Sequence, residues 1–166
     1  MSPESSAAPL SRLVAERGRW RQAGLRVVMT NGCFDLLHPG HLCLLENARA
    51  GGDVLVVALN SDRSVRALKG PGRPLAPQAE RAETLLALEP VDRVVLYDEP
   101  TPLAVIRALL PDVLVKGADW AEDEIVGRDV VEAAGGRVVR VELLAGRSTS
   151  AIVERIRSGK PDPGTP

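Results

Sequence analysis

The chain has 166 residues, enough for one domain whose folding buries roughly 70% of the unfolded surface without staples. Hydrophobic residues at 45% and charged residues at 26% exclude a disordered chain, and a net charge of −1 excludes an overall basic field for nucleic acid. Aromatics make up 2% (Trp20, Phe34, Tyr97 and Trp120), too few for a stacking platform on single strands.

Residues 1–9 are rich in Ser, Pro and Ala and read as a disordered tail; residues 158–166 read as a second. The folded domain is expected over 10–157. Val-rich runs at 26–30, 53–59, 91–97, 112–116 and 137–141 read as strands buried on both faces, the mark of a parallel sheet. Between them, 39–50, 76–88, 101–110, 122–134 and 148–156 carry apolar residues at helical spacing. Thr101 and Pro102 read as an N-cap followed by Pro at the first helical position. The alternation predicts an α/β fold: a single doubly wound, Rossmann-like domain with a five-stranded parallel sheet. Ligands in such sheets bind beyond the carboxyl ends of the strands. That rule selects the loops 30–41, 60–77, 97–101 and 116–123, and the start of the last helix at 146–150.

Cys33 and Cys43 make neither a disulfide framework nor a four-ligand zinc site. No apolar run is long enough to cross a bilayer, and the start MSPESSAAPL lacks the charge and apolar pattern of a secretory leader. The expectation is a cytoplasmic protein without membrane or nucleic-acid partners.

The first loop reads TNGCFDLLHPGH and holds the chain's two histidines, His38 and His41. Pro39 suits a helix start, so both imidazoles fall at one helix N-terminus, where free N–H groups favour an anion. Gly40 leaves room for a phosphate against the backbone. The alternatives are a pair of solvated histidines, or a metal site with Asp35 or Cys33 as third ligand. The second loop, RALKGPGRP, is basic and Gly/Pro-rich. The chain has 18 Arg and three Lys, and Lys69 and Lys116 both lie beside glycines in ligand-facing loops. Lys69, Arg73 and Arg81 could clamp a polyphosphate, or form a basic surface. In VKGADW, Asp119 could take a hydroxyl or a hydrated Mg²⁺, and Trp120 could stack on a ring or cap the core. In GRSTSAIVERI, one hydroxyl among Ser148, Thr149 and Ser150 is needed for capping, and the others could cradle phosphate. Each loop alone is open to a structural reading; together they converge on phosphate.

These segments, in this order and spacing over about residues 26–157, resemble the HxGH nucleotidyltransferase family. TNGCFDLLHPGH, NSDRSVRALKGPGRP and PDVLVKGADW are most similar to its D-glycero-D-manno-heptose 1-phosphate adenylyltransferase branch. The absence of a kinase portion points to the stand-alone type. The resemblance implies transfer of AMP from ATP to heptose 1-phosphate, giving ADP-heptose and pyrophosphate. It implies His38, His41 and Lys69 as catalytic. It implies Thr30, Asn31, Gly32, Cys33, Phe34, Lys116, Gly117, Asp119, Ser148, Thr149 and Ser150 around ATP, and Asp35, Asn60, Arg73 and Arg81 toward the acceptor. Mg²⁺ would be held mainly by the ATP phosphates rather than by protein ligands. A dimer or higher oligomer is the family expectation.

Where the glycerol-3-phosphate cytidylyltransferase branch carries RTEGIST, this chain has LLAGRST. Leu143 and Leu144 replace polar groups, which favours ATP over CTP. The competing expectations are a cytidylyltransferase acting on a small alcohol phosphate such as glycerol 3-phosphate or phosphoethanolamine, and a non-catalytic nucleotide-binding protein.

Overall fold

Strand residues of both parities are buried, so the sheet needs a helical layer on each face. A computed structural model describes residues 7–119, 121–142 and 148–159, without the side chain of Glu122. Helix α1 (Leu10–Gln22) precedes β1 (Val27–Gly32), α2 (Pro39–Ala50), β2 (Val54–Asn60), α3 (Asp62–Lys69) and α4 (Gln78–Leu86). There follow β3 (Arg93–Tyr97), α5 (Leu103–Leu109), β4 (Val113–Gly117), a 3₁₀ turn (Glu122–Glu124), α6 (Arg128–Ala133), β5 (Arg137–Val141) and α7 (Thr149–Ser158). The strands form one parallel sheet in the order β3-β2-β1-β4-β5, the expected doubly wound arrangement.

Side chains alternate across that sheet. Val54, Val56 and Ala58 pack with Leu13, Ile106, Leu109 and Val131, which places α1, α5 and α6 on one face. Leu55, Val57 and Leu59 pack with Leu44, Leu45, Ala48, Ala82 and Leu85, which places α2 and α4 on the other. Leu45 is fully buried, and its truncation to Ala would cost about 2–5 kcal/mol.

Helix α1 has no counterpart among the expected elements, and three local expectations are corrected. Helix α1 carries no clear apolar stripe because two of its three buried residues are Glu16 and Arg17. Arg17 donates to the carbonyls of Leu109 and Leu110 and to Asp112, while Glu16 pairs with Arg93 and Arg12. Helix α3 lies within the segment read as the loop 60–77; Ser61 caps it, and Ser64 and Val65 are its buried residues. The helix expected over 122–134 is broken at Gly127 (φ +84°), where a Cβ would lie 2.6 Å from Ile106 Cδ1. Thr101 does not cap α5: the cap position is Pro102, and no side chain closes that helix start.

Strand β1 runs two residues further than its Val-rich run, to Gly32. Asn31 therefore sits on the sheet rather than on a loop. At the other end of the chain, Ala8 N–H donates to the Val94 carbonyl. Among the described residues no helix is long and apolar enough to cross a membrane.

Candidate active site

At the carboxyl end of β1 the chain turns sharply through Phe34, whose φ of +44° is rare for a residue with a side chain. The turn lays the Phe34 ring over Gly32, where a Cβ would sit 3.0 Å from the ring; only glycine leaves that space. Phe34 is buried and faces the imidazole of His41 at 5.0 Å between centroids.

Helix α2 then starts at Pro39. His38 is its N-cap, and its Nδ1 accepts the Gly40 N–H at 3.1 Å, which assigns the ring proton to Nε2. The His41 ring stacks on that of His38, 3.9 Å between centroids and 28° between planes. Burial, the neighbouring His38 and Lys69 push the His41 pKa down to about 4. His41 Nδ1 is buried without a hydrogen-bond partner. His41 is therefore a neutral hydrogen-bonding group, and the pair does not carry a doubled charge.

Two clefts open side by side above the sheet. The first, of about 310 Å³, is lined by His38, Gly40, His41, Lys69, Asp119 and Ser148–Ser150 among others. Ser148 caps α7 by accepting the Ala151 N–H, and Thr149 Oγ1 donates to the Leu36 carbonyl, tying α7 to the first loop. Lys69 ends α3 with its side chain exposed, directly before Gly70 (φ +94°). The second cleft, of about 380 Å³, holds Asn60, Tyr97, Thr101, Lys116, Glu124 and the apolar side chains of Leu68, Ile125 and Val126. Asn31, Gly32, Cys33 and Lys69 line both. The first cleft thus gathers the expected Asn31, Gly32, Cys33, Phe34, Gly117, Asp119 and the α7 hydroxyls, while Asn60 and Lys116 fall in the second.

The second cleft has a polar floor. Asn31 Nδ2 donates to Tyr97 Oη at 3.3 Å, and Asn60 Nδ2 donates to Ser64 Oγ at 2.9 Å. The Cys33 thiol donates to Asn60 Oδ1 at 3.7 Å. Burial raises the pKa of Cys33 and pushes Tyr97 up to about 12, so thiol and phenol keep their protons. Burial also brings Lys116 down to about 8, with Asp119 acting in the opposite sense.

Asp35, Arg73 and Arg81 occupy neither cleft. The Asp35 carboxylate accepts from Arg73 Nη1 (2.7 Å) and from the backbone N–H groups of Leu75 and Ala76. Arg81 is almost fully buried and donates to the carbonyls of Cys33, Asn60 and Ala76 and to Asp62. These three residues join the first and second loops from beneath. Thr30 is a buried strand residue below the site. Trp120, Leu143 and Leu144 lie outside the described residues. Tyr97, Thr101 and Ile125 were absent from the expected site residues. The carboxyl-end rule had selected the loop beginning at Tyr97, but that loop lacks a phosphate motif.

A family model described as cytidylyltransferase-like matches residues 29–155, from β1 into α7. The chain belongs to the cytidylyltransferase-like family. It is a nucleotidyltransferase by that membership. It is 62% identical over 139 residues to the bifunctional protein HldE of Azorhizobium caulinodans, covering 84% of this chain and 29% of that protein. It is 54% identical over 152 residues to HldE of Hyphomonas neptunium, covering 92% of this chain and 31% of the relative. The chain thus spans about three tenths of the curated relatives it matches. Among solved structures it is similar to the lipopolysaccharide core biosynthesis protein from Thermoplasma volcanium, with a TM-score of 0.63 and 29% identity. That likeness covers 73% of this chain and 99% of the archaeal one.

Proposed function

We propose that this nucleotidyltransferase moves AMP from ATP to D-glycero-D-manno-heptose 1-phosphate, releasing pyrophosphate and forming ADP-heptose. The observation that carries the reading is the shared wall between the two clefts. Two stacked imidazoles, the exposed ammonium of Lys69 and a helix N-terminus surround one cleft. The neighbouring cleft opens directly onto them. The choice of acceptor is supported by the resemblance of the loop motifs to the heptose branch and by the HldE relatives.

The acceptor's phosphate has a second pKa of about 6 and is already anionic at neutral pH. Its oxygen attacks the α-phosphorus, the bond from that phosphorus to the β-phosphate bridging oxygen breaks, and the electron pair leaves with pyrophosphate. No general base and no covalent enzyme intermediate are required; positioning and charge neutralisation suffice. His38 and His41 donate hydrogen bonds to the α-phosphate oxygens as charge shifts among them. Lys69 meets the leaving phosphates from the end of α3, and the N-terminus of α7 directs its free N–H groups at the same charge.

Among the described residues the first cleft offers one carboxylate, Asp119, and three hydroxyls. Among the described residues no three His, Cys, Asp or Glu side chains gather as a metal cage. That donor set fits a Mg²⁺ that enters on the nucleotide, with Asp119 reaching it through water; bound there, it would neutralise phosphate charge. Pyrophosphate release, measured over four nucleoside triphosphates and a panel of sugar and alcohol phosphates, tests the reading. ATP with heptose 1-phosphate should exceed CTP by at least about 10²-fold in kcat/KM, or about 2.7 kcal/mol. Equal or better turnover with CTP would overturn the adenylyl assignment.

A further inference from the structure

We infer that the second cleft is the acceptor-sugar site, and that Lys116 and the amide of Asn31 select what enters it. The inference rests on the functional reading above and deepens it, because it moves Lys116 from the nucleotide to the sugar phosphate. Lys116 lies on β4 beside Gly117, yet the two residues line different clefts: Gly117 the first, Lys116 the second. The lining that holds Lys116 includes none of the α7 hydroxyls.

The lining of this cleft has the chemistry of a phosphorylated polyol. It offers two cations for a phosphate, Lys69 at the wall shared with the first cleft and Lys116, which lines this cleft alone. It offers neutral groups for hydroxyls: the amides of Asn31 and Asn60, the Tyr97 phenol and the Thr101 hydroxyl. Its one carboxylate among the described residues, Glu124, accepts from hydroxyls and repels a misplaced phosphate. A base would call for flat apolar faces on both sides, and the one aromatic lining residue among the described residues, Tyr97, has its hydroxyl tied to Asn31. A choline- or ethanolamine-type head would call for an anionic cage around its ammonium, whereas this cleft carries one acid and two lysines. At about 380 Å³ it accommodates a sugar phosphate.

Asn31 supplies the second observation. Its Oδ1 is buried and has no hydrogen-bond partner, although Nδ2 is used on Tyr97. A buried amide oxygen left unpaired costs about 1–3 kcal/mol. A ligand hydroxyl donating to it relieves that cost, and a ligand lacking the hydroxyl does not. The same asymmetry lets a site reject an analogue that misses one hydrogen-bonding group. Burial brings the Lys116 pKa down to about 8, and an incoming phosphate dianion would raise it again.

The test uses the full chain with Lys116→Met, Lys116→Gln and Asn31→Ala, each checked for wild-type melting behaviour. Kd for the non-hydrolysable analogue AMPCPP is read by calorimetry and KM for heptose 1-phosphate by pyrophosphate release. Either Lys116 variant should raise the acceptor KM by about tenfold or more while AMPCPP binding stays within about threefold. Asn31→Ala should cut the preference for heptose 1-phosphate over glycerol 3-phosphate by about tenfold. A loss that falls on AMPCPP instead, or unchanged acceptor KM and preference in these variants, overturns the inference. If the wild type releases no pyrophosphate with heptose 1-phosphate, the functional reading fails. The cleft is then read by ligand-detected NMR with D-mannose 1-phosphate: binding lost in Lys116→Met supports the sugar-phosphate site, and no binding to the wild type removes it.

Discussion

The imidazoles of His38 and His41 stack at 3.9 Å, and the deeper ring, His41, has its pKa pushed down to about 4. Two rings this close cannot both hold a full charge in a partly buried site. Stacking therefore keeps the pair as donors whose strength is felt when charge builds on the substrate. His38→Ala or His41→Ala should lower kcat about 10²–10³-fold, or 3–4 kcal/mol, with a much smaller effect on the KM for ATP. Steady-state kinetics check this, and wild-type turnover in either variant would remove the assignment.

Lys69 stands at the junction of α3 and a glycine-rich segment and borders both clefts. A cation so placed can follow the phosphates as they separate. Lys69→Ala should leave AMPCPP affinity within a few-fold and reduce turnover by at least about 10²-fold. Lys69→Arg should rescue poorly, because a planar guanidinium fork does not replace a compact ammonium. Calorimetry paired with single-turnover kinetics separates the binding and chemical effects.

Acid should destabilise the ligand-free protein in two stages. Unfolded His41 takes a proton near pH 6.5, while in the folded state burial, His38 and Lys69 delay it to about 4. Stability is therefore lost as pH falls from about 6.5 to about 4, by at most about 3 kcal/mol. Burial works to raise Glu16, but Arg93 and Arg12 outweigh it and hold its pKa below the usual 4.5, so its contribution is lost only under more acidic conditions. Urea denaturation across pH 4–7 should show the first slope in the wild type and a flatter one in His41→Asn. An identical slope in both would refute the attribution to His41.

Arg81 donates to three backbone carbonyls and to Asp62 while almost wholly out of water. Arg81→Met should cost about 2–4 kcal/mol, since it strands those acceptors, although Asp62 retains some solvent. The melting temperature should fall by roughly 5–15 °C. Arg81→Lys should recover little, because one ammonium cannot span the four positions. Thermal denaturation followed by circular dichroism measures both variants.

Arg81 also marks where sequence reasoning stops. The Val-rich runs fixed the strands because burial on both faces leaves a signal every second residue. The HPGH turn was legible because proline, glycine and histidine each have a narrow physical use at a helix start. Whether an arginine faces a phosphate or a carbonyl depends on residues 21 to 48 positions away, here Asn60 and Cys33, and no local pattern encodes that. The same holds for Asp35, which reads as a ligand-facing acid and instead clasps the second loop. Helix α1 gives no periodic apolar signal because two of its three buried residues, Glu16 and Arg17, are charged and held by ion pairs.

The hydrogen bond from Thr149 to Leu36 spans 113 residues and fastens the last helix onto the first loop. The last strand, β5, ends at Val141, ahead of Ser148, Thr149 and Ser150 in the chain. A chain that stops short of Ser148 therefore keeps every strand and lacks the α7 hydroxyls that line the first cleft. Proteolytic trimming ahead of residue 148 would return a finished molecule to that state, with its scaffold retained and its chemistry switched off.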